Sequence, residues 1–204
     1  MVAIIDYGMG NLRSIQKAFE YLGFEAVLTD DPAVIGAAGH IVLPGVGAFA
    51  DAVSQLHKTG VFETVRAEIR KGKNFLGVCL GMQLLFQSST EGGHETEGLG
   101  IFPEKIVRFP DGVIVPHMGW NSIAGTDDIL FKKGKNTEYV YFVHSFYCPD
   151  SPEIAPFAAA RSEYGGSFCA AARRGNCIAT QFHPEKSGEA GLRMLKRFGE
   201  MPVC

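Results

Sequence analysis

The chain has 204 residues, 46% hydrophobic and 20% charged, with 19 Lys and Arg against 22 Asp and Glu and a formal net charge of -3. A chain this long buries roughly 70% of its unfolded surface, which excludes a stapled mini-protein, and its composition excludes disorder and gives no basic excess for a nucleic-acid backbone. Met1 to Asp6 lacks the basic region of a signal peptide, no apolar run reaches the ~20 residues of a membrane span, and the cysteines (Cys79, Cys148, Cys169, Cys177, Cys204) contain no C-x-x-C pair, so a soluble protein of the reducing cytoplasm is expected.

The chain opens as strand, helix, strand. Val2 to Ile5 is apolar; Leu12, Ile15, Ala18, Phe19 and Leu22 recur at helical spacing between Asn11 as a start and Gly23 as a stop; Glu25 to Thr29 follows. His40 to Leu43 reads as a buried strand entering the turn Pro44-Gly45-Val46-Gly47, with helices predicted around Asp51 to His57 and Val61 to Lys71. Phe75 to Val78 is the next strand and Leu80 to Gln87 the next helix. Strands alternating with helices imply right-handed crossovers and a mainly parallel sheet covered on both faces, an α/β fold.

Ser88 to Gly100 turns polar and glycine-rich and reads as a surface loop. Lys105 to Phe109, Val113 to Val115 and Tyr139 to Val143 suggest a smaller, antiparallel sheet. Short strands at Ala158 to Arg161, Phe168 to Arg173 and Ile178 to Phe182 precede a C-terminal helix from Ser187 to Phe198. No repeat or linker divides the chain, so residues 1–204 are expected to form a single domain.

Cys79 sits in Gly77-Val78-Cys79-Leu80-Gly81, between an apolar strand and a helix. Glycines two before and two after are what a strained strand-to-helix turn needs to expose a nucleophile, and the helix N-terminus behind it favours thiolate. A lone cysteine among apolar residues is otherwise a small core residue. A thiol also needs a base. His183-Pro184-Glu185 closes a strand expected in the same sheet, so both groups fall at the carboxyl edge where open α/β sheets gather their sites, with Glu185 able to hold the His183 tautomer. The Pro44 to Gly47 turn could supply an oxyanion N–H, with Leu80 the second; such turns also cradle phosphates, but no Lys-Ser or Lys-Thr follows as in a P-loop. Gly8-Met9-Gly10 lacks the third glycine of a dinucleotide-binding fingerprint, Arg13 standing in its place.

Pro44-Gly45-Val46-Gly47, Gly77-Val78-Cys79-Leu80-Gly81-Met82-Gln83 and Gln181-Phe182-His183-Pro184-Glu185-Lys186-Ser187, in that order across nearly the whole chain, resemble the signatures of class I (triad-type) glutamine amidotransferases. More narrowly, Asp6 to Leu12, Pro116-His117-Met118-Gly119-Trp120-Asn121 and Tyr141-Phe142-Val143-His144-Ser145 resemble the glutaminase subunits of imidazole glycerol phosphate synthases, which serve histidine biosynthesis. The resemblance implies a flavodoxin-like sheet, no metal, no organic cofactor, and a separate (β/α)8-barrel cyclase subunit that receives ammonia in a heterodimer. It makes Cys79 the nucleophile, His183 the acid and base, and Glu185 the orienting carboxylate. Val46 and Leu80 become the oxyanion donors, and Gly47, Gln83, Ser145 and Phe146 the lining of the glutamine pocket. Phe146 departs from the family, where Tyr is common. Asn11, Trp120, Tyr141 and Lys186 match positions that face the synthase, although Trp120 could equally be core and Lys186 a solvated charge. A glutaminase serving another synthase, and a stand-alone cysteine hydrolase or binding module, remain the rival readings.

Overall fold

The computed structural model describes residues 1–125, 129–131 and 137–203, so Cys204 lies outside the described residues. The strands, in chain order, are β1 (Val2–Ile5), β2 (Ala26–Thr29), β3 (His40–Gly45), β4 (Asn74–Cys79), β5 (Ser88–Ser89), β6 (Thr96–Glu97), β7 (Lys105–Arg108), β8 (His117–Gly125), β9 (Glu138–His144), β10 (Phe146–Tyr147), β11 (Ala158–Glu163), β12 (Ser167–Arg174) and β13 (Cys177–Thr180). The helices are α1 (Leu12–Tyr21), α2 (Pro32–Ala37), α3 (Phe49–Lys58), α4 (Val61–Arg70), α5 (Leu80–Gln83) and α6 (Gly188–Gly199).

Nine strands form one sheet in the order β2-β1-β3-β4-β13-β12-β11-β8-β9. From β2 to β13 the neighbours are parallel, and from β13 outward they are antiparallel. β3 and β4 are buried along their whole length, which is why Ile41 to Leu43 and Phe75 to Val78 read as apolar runs rather than as alternation. Successive residues of β3 nevertheless serve opposite faces. Ile41 and Leu43 join Phe49, Leu56 and Val65 of α3 and α4 in one core, while Val42 joins Ile15, Phe19, Leu195 and Phe198 of α1 and α6 in the other. Both faces of the parallel half are thus closed, and only its strand ends are open to build a site.

The α/β class and the flanked sheet are as the periodicity implies, but several elements differ. The antiparallel strands of the second half extend the main sheet. The second sheet, β10-β7-β5-β6, takes β5 and β6 from the stretch expected to be a surface loop. Ser88 and Ser89 are buried there without an apolar side chain, so no hydrophobic alternation marks them. Val113 to Val115 is not a strand; the strand begins at His117. The helix after Cys79 ends at Gln83 instead of Gln87, because the Leu84, Leu85 and Phe86 carbonyls accept N–H groups from Leu99, Ile101, Phe102 and Gly100 rather than from a further helical turn. α2 was unforeseen, although Asp31 caps it through the Ala33 N–H at 2.8 Å and Pro32 opens it. Among the described residues, no helix is long and apolar enough to cross a membrane.

Candidate active site

Three adjacent parallel strands deliver the site. Gly45 of β3 lies opposite Cys79 of β4, and β4 pairs on its other side with β13, which leads to His183. At the end of β4 the chain turns sharply: Cys79 has φ 55, in the left-handed region that a non-glycine residue seldom adopts. Glycine makes the turn possible by close approach. A Cβ on Gly77 would come within 2.7 Å of the Gly81 carbonyl oxygen, and one on Gly81 would overlap the Leu43 carbonyl oxygen. A Cβ on Gly45 would meet the Tyr7 hydroxyl at 2.7 Å and Leu80 Cβ at 2.9 Å. Helix α5 therefore starts hard against β3 and β4, with the thiol projecting from the junction.

His183 is placed by β9. Its N–H donates to the Tyr141 carbonyl at 3.0 Å; the Tyr141 N–H donates to Ser187 Oγ at 3.0 Å, and that hydroxyl donates to the His183 carbonyl at 2.6 Å. β13 ends at Thr180, earlier than the strand expected to reach Phe182, and Pro184–Lys186 forms a 3-10 turn. That turn brings Glu185 Oε1 to 2.9 Å from His183 Nδ1. The Glu185 side chain is 2% exposed, and its Oε2 has no hydrogen-bond partner among the described residues, so His183 is its counter-charge. Burial alone would lower the His183 pKa; Cys79 and the Glu185 carboxylate override that and raise it to about 9. His183 Nε2 is buried with no hydrogen-bond partner among the described residues, the state expected of a nitrogen reserved for a reacting group.

Val46, Gly47, Cys79, Leu80, Gln83, Ser145, Phe146 and His183 line one cavity of ≈ 290 Å³. Every residue expected at the thiol or in the substrate pocket thus borders one space, with Glu185 behind His183. Glu91, Pro116, Val143 and His144 border it as well. Spacing gave no sign of Glu91, which sits in a polar run where any carboxylate looks solvated; its Oε2 accepts the Phe49 N–H at 2.7 Å at the start of α3. Gln181, buried beneath the site, donates from Nε2 to Cys79 Sγ at 3.9 Å. Tyr7 donates to the Pro44 carbonyl under the Gly45 turn, and burial together with Cys79 pushes its phenol far above the ordinary range.

Asn11, Trp120, Tyr141 and Lys186 lie outside this cavity. Trp120 is 58% exposed, which overturns the core alternative; it packs edge-on against Tyr141 at 6.2 Å, and Lys186 Nζ stands 6.0 Å above the same ring. Asn11 starts α1 without a side-chain cap to the backbone, accepting Ser14 Oγ at 2.9 Å instead. It also borders a narrow cleft with Val46, His183 and Glu185.

Chemically, a thiol at a strained strand end, a raised and carboxylate-held imidazole and a small semi-enclosed cavity can attack and hydrolyse a carbonyl of modest size. A family model, glutamine amidotransferase class-I, matches residues 3–201. A relative named imidazole glycerol phosphate synthase subunit HisH, from Caldanaerobacter subterraneus subsp. tengcongensis, is 52% identical over 205 residues, covering 100% of both chains. The protein of the same name from Geobacter sulfurreducens is 50% identical, covering 98% of each. Among solved structures, PurLQS from Thermotoga maritima superimposes with a TM-score of 0.76 at 19% identity, over 97% of this chain and 96% of that one. A structure described as a glutamine amidotransferase gives 0.75 at 19% identity, over 98% and 100%. At that identity the likeness is one of fold.

Proposed function

We propose, from the premise that this chain belongs to the class-I glutamine amidotransferase family, that it is the glutaminase subunit of an imidazole glycerol phosphate synthase in histidine biosynthesis. The relatives are named as one subunit of that synthase, so the chain works with another subunit. The finer reading is a (β/α)8-barrel cyclase that uses ammonia to make imidazole glycerol phosphate and aminoimidazole carboxamide ribotide, in the cytoplasm, with residues 1–204 acting as one domain without metal or cofactor.

The observation that carries the reading is the convergence of Cys79, the His183–Glu185 pair and Glu91 on one cavity. Cys79 Sγ attacks the side-chain amide carbon of glutamine. His183, protonated at neutral pH because its pKa is raised to about 9, gives its Nε2 proton to the departing ammonia, leaving a thioester. Water then enters, His183 takes one of its protons, the thioester breaks to glutamate and the thiolate, and the second proton of the water is shed to solvent from the new carboxyl group. The N–H groups of Val46 and Leu80 hold the oxyanion of both tetrahedral intermediates. Gly47, Gln83, Ser145 and Phe146 seat the substrate, Phe146 through its main chain since it has no phenol hydroxyl, and Glu91 offers its carboxylate to the α-ammonium. Ammonia is a nucleophile only while unprotonated, so it must pass directly to the partner. The exposed Trp120, with Asn11, Tyr141 and Lys186, forms the face on which that partner docks.

Cys79→Ala tests the division of labour. In the reconstituted synthase it is expected to abolish glutamine hydrolysis while ammonia-supported synthesis stays within about twofold of wild type, because nucleophile and acceptor are on different chains. Loss of the ammonia-driven reaction in an assembled complex would overturn it.

A further inference from the structure

One pair of buried histidines is not used by the hydrolytic chemistry: His144, which borders the cavity, and His117, set back behind it. His117 opens β8 and His144 closes β9, facing each other across the ladder that also pairs Trp120 with Tyr141. His144 Nδ1 is 2.8 Å from the Phe146 carbonyl oxygen, which only accepts, so Nδ1 carries the proton and Nε2 is an acceptor. His117 Nδ1, 3.1 Å from that Nε2, must therefore be the donor, which leaves His117 Nε2 to accept from Asn121 Nδ2 at 3.3 Å. The Asn121 amide is oriented independently, since its Oδ1 accepts the Ser122 N–H at 2.7 Å and its Nδ2 also donates to the Glu163 carbonyl at 2.9 Å. The two tautomers are thus dictated from both ends.

Rotation of the His117 ring is blocked. His117 is stacked between Tyr164 at 4.0 Å and Phe142 at 4.8 Å, and the Tyr164 hydroxyl is tied to the Ile114 carbonyl at 2.6 Å. Burial holds the pKa of His117 near 4 and that of His144 near 3, so both are neutral at pH 7. At the far end the Phe146 carbonyl takes a second donor, Gln83 Nε2 at 2.9 Å, filling both its lone pairs. Gln83 Nε2 gives its other hydrogen to Gln181 Oε1 at 3.1 Å, and Gln181 Nε2 points at Cys79 Sγ. Every donor in the train has one permitted direction.

We propose that His117 and His144 are positioning residues, a one-way hydrogen-bond train from Asn121 that fixes the Phe146 carbonyl and with it the wall against which glutamine is seated. The proposal rests on the glutaminase reading and adds to it residues that never touch the reacting atoms. His144→Leu removes one of the two donors to the Phe146 carbonyl. His144→Asn puts Nδ2 where Nδ1 stood and restores that donor, though not the link to His117. In the reconstituted synthase, His144→Leu is expected to raise KM for glutamine about five- to tenfold, within the range of one lost neutral hydrogen bond, with kcat within about twofold. His144→Asn is expected to return KM to within about twofold. His117→Leu, which frees His144 to change tautomer, is expected to raise KM about two- to threefold.

Nitrogen resonances of the two imidazoles in the wild-type complex provide a readout that needs no variant to fold. Both rings are expected to be neutral and protonated at Nδ1. An Nε2-protonated ring, or a KM for His144→Leu equal to that of wild type or of His144→Asn in folded protein, would overturn the proposal. A wild-type complex inert toward glutamine would instead overturn the glutaminase reading, with the tautomers still deciding whether the train exists.

Discussion

Replacing Glu185 by Gln separates the charge behind His183 from its shape. The carboxylate is buried and, among the described residues, its hydrogen-bond partner is His183 Nδ1 at 2.9 Å. A hydrogen bond to a charged partner contributes ~1.5–3 kcal/mol against ~0.5–1.5 for a neutral one, so the amide withholds about 1–1.5 kcal/mol from the imidazolium. At 1.36 kcal/mol per unit this is roughly one pKa unit, and the His183 midpoint, about 9 in the native protein, is expected to fall to about 8 in the variant. The same loss applied to the transition state, where imidazolium persists, lowers kcat/KM about tenfold. Tenfold is the minimum, reached when the Gln oxygen keeps the place of Oε1. If the amide NH2 turns toward Nδ1 the tautomer inverts, and losses of ~10⁴ follow in related triads. A nitrogen-resolved titration of His183, run beside steady-state glutaminase rates of the assembled synthase, gives both numbers. A variant that keeps the native midpoint and native kcat/KM would show that the carboxylate is neither charge partner nor orienter.

Gly81→Ala drives a methyl into the Leu43 carbonyl oxygen and is expected to cost at least ~3 kcal/mol in denaturant unfolding, a loss under ~1 kcal/mol counting against the close-packed elbow. Trp120→Ala, at a side chain 58% exposed, is expected to leave the unfolding midpoint of the free subunit unchanged while weakening partner binding by ~2 kcal/mol or more, about thirtyfold, in a calorimetric titration; the reverse pattern would return Trp120 to a purely structural role. Stability should peak near neutral pH. His183, with a folded pKa raised to about 9, contributes stabilisation that is complete below its unfolded pKa of ~6.5 and is lost as pH rises through 9, at up to ~1.4 kcal/mol per pH unit. His117 and His144, depressed to about 4 and about 3, act in the opposite sense: their neutral burial is free of penalty above ~6.5, and each withdraws up to ~1.4 kcal/mol per unit as pH falls toward those values. Urea titrations from pH 4 to 10 check both limbs, and a flat profile between pH 4 and 6 would mean that the two imidazoles are not buried as neutral species.

The parallel half was legible because burial on both faces writes itself as unbroken apolar runs, as in Ile41 to Leu43 and Phe75 to Val78, each followed by a glycine turn. The site residues at those strand ends were legible for the same reason: a nucleophile elbow demands Gly77 and Gly81 for contact distances that any side chain would violate. What stayed hidden was held by polar atoms. β5 is a pair of buried serines, β8 begins at a histidine whose partners are Asn121 and His144, and Gln181 reads only as the opening residue of the His183 motif until its amide is seen against the thiol. Hydrogen bonds between residues 27 to 102 positions apart leave no periodic trace along the chain. Glu91 is the clearest case, its meaning coming only from the cavity it borders and the helix start it caps.

The burial of the cysteines makes the protein its own gauge. Cys148 and Cys169 are fully enclosed and Cys177 nearly so, and enclosure drives the Cys148 and Cys177 thiols well above the usual range, leaving them unreactive as nucleophiles. Among the described residues, Cys79 alone opens onto a cavity that small molecules can enter. An electrophile shaped like glutamine, delivered to folded protein, is therefore expected to label Cys79 and spare the other three of these thiols, and the label found on the Cys79 peptide counts the molecules whose elbow has formed.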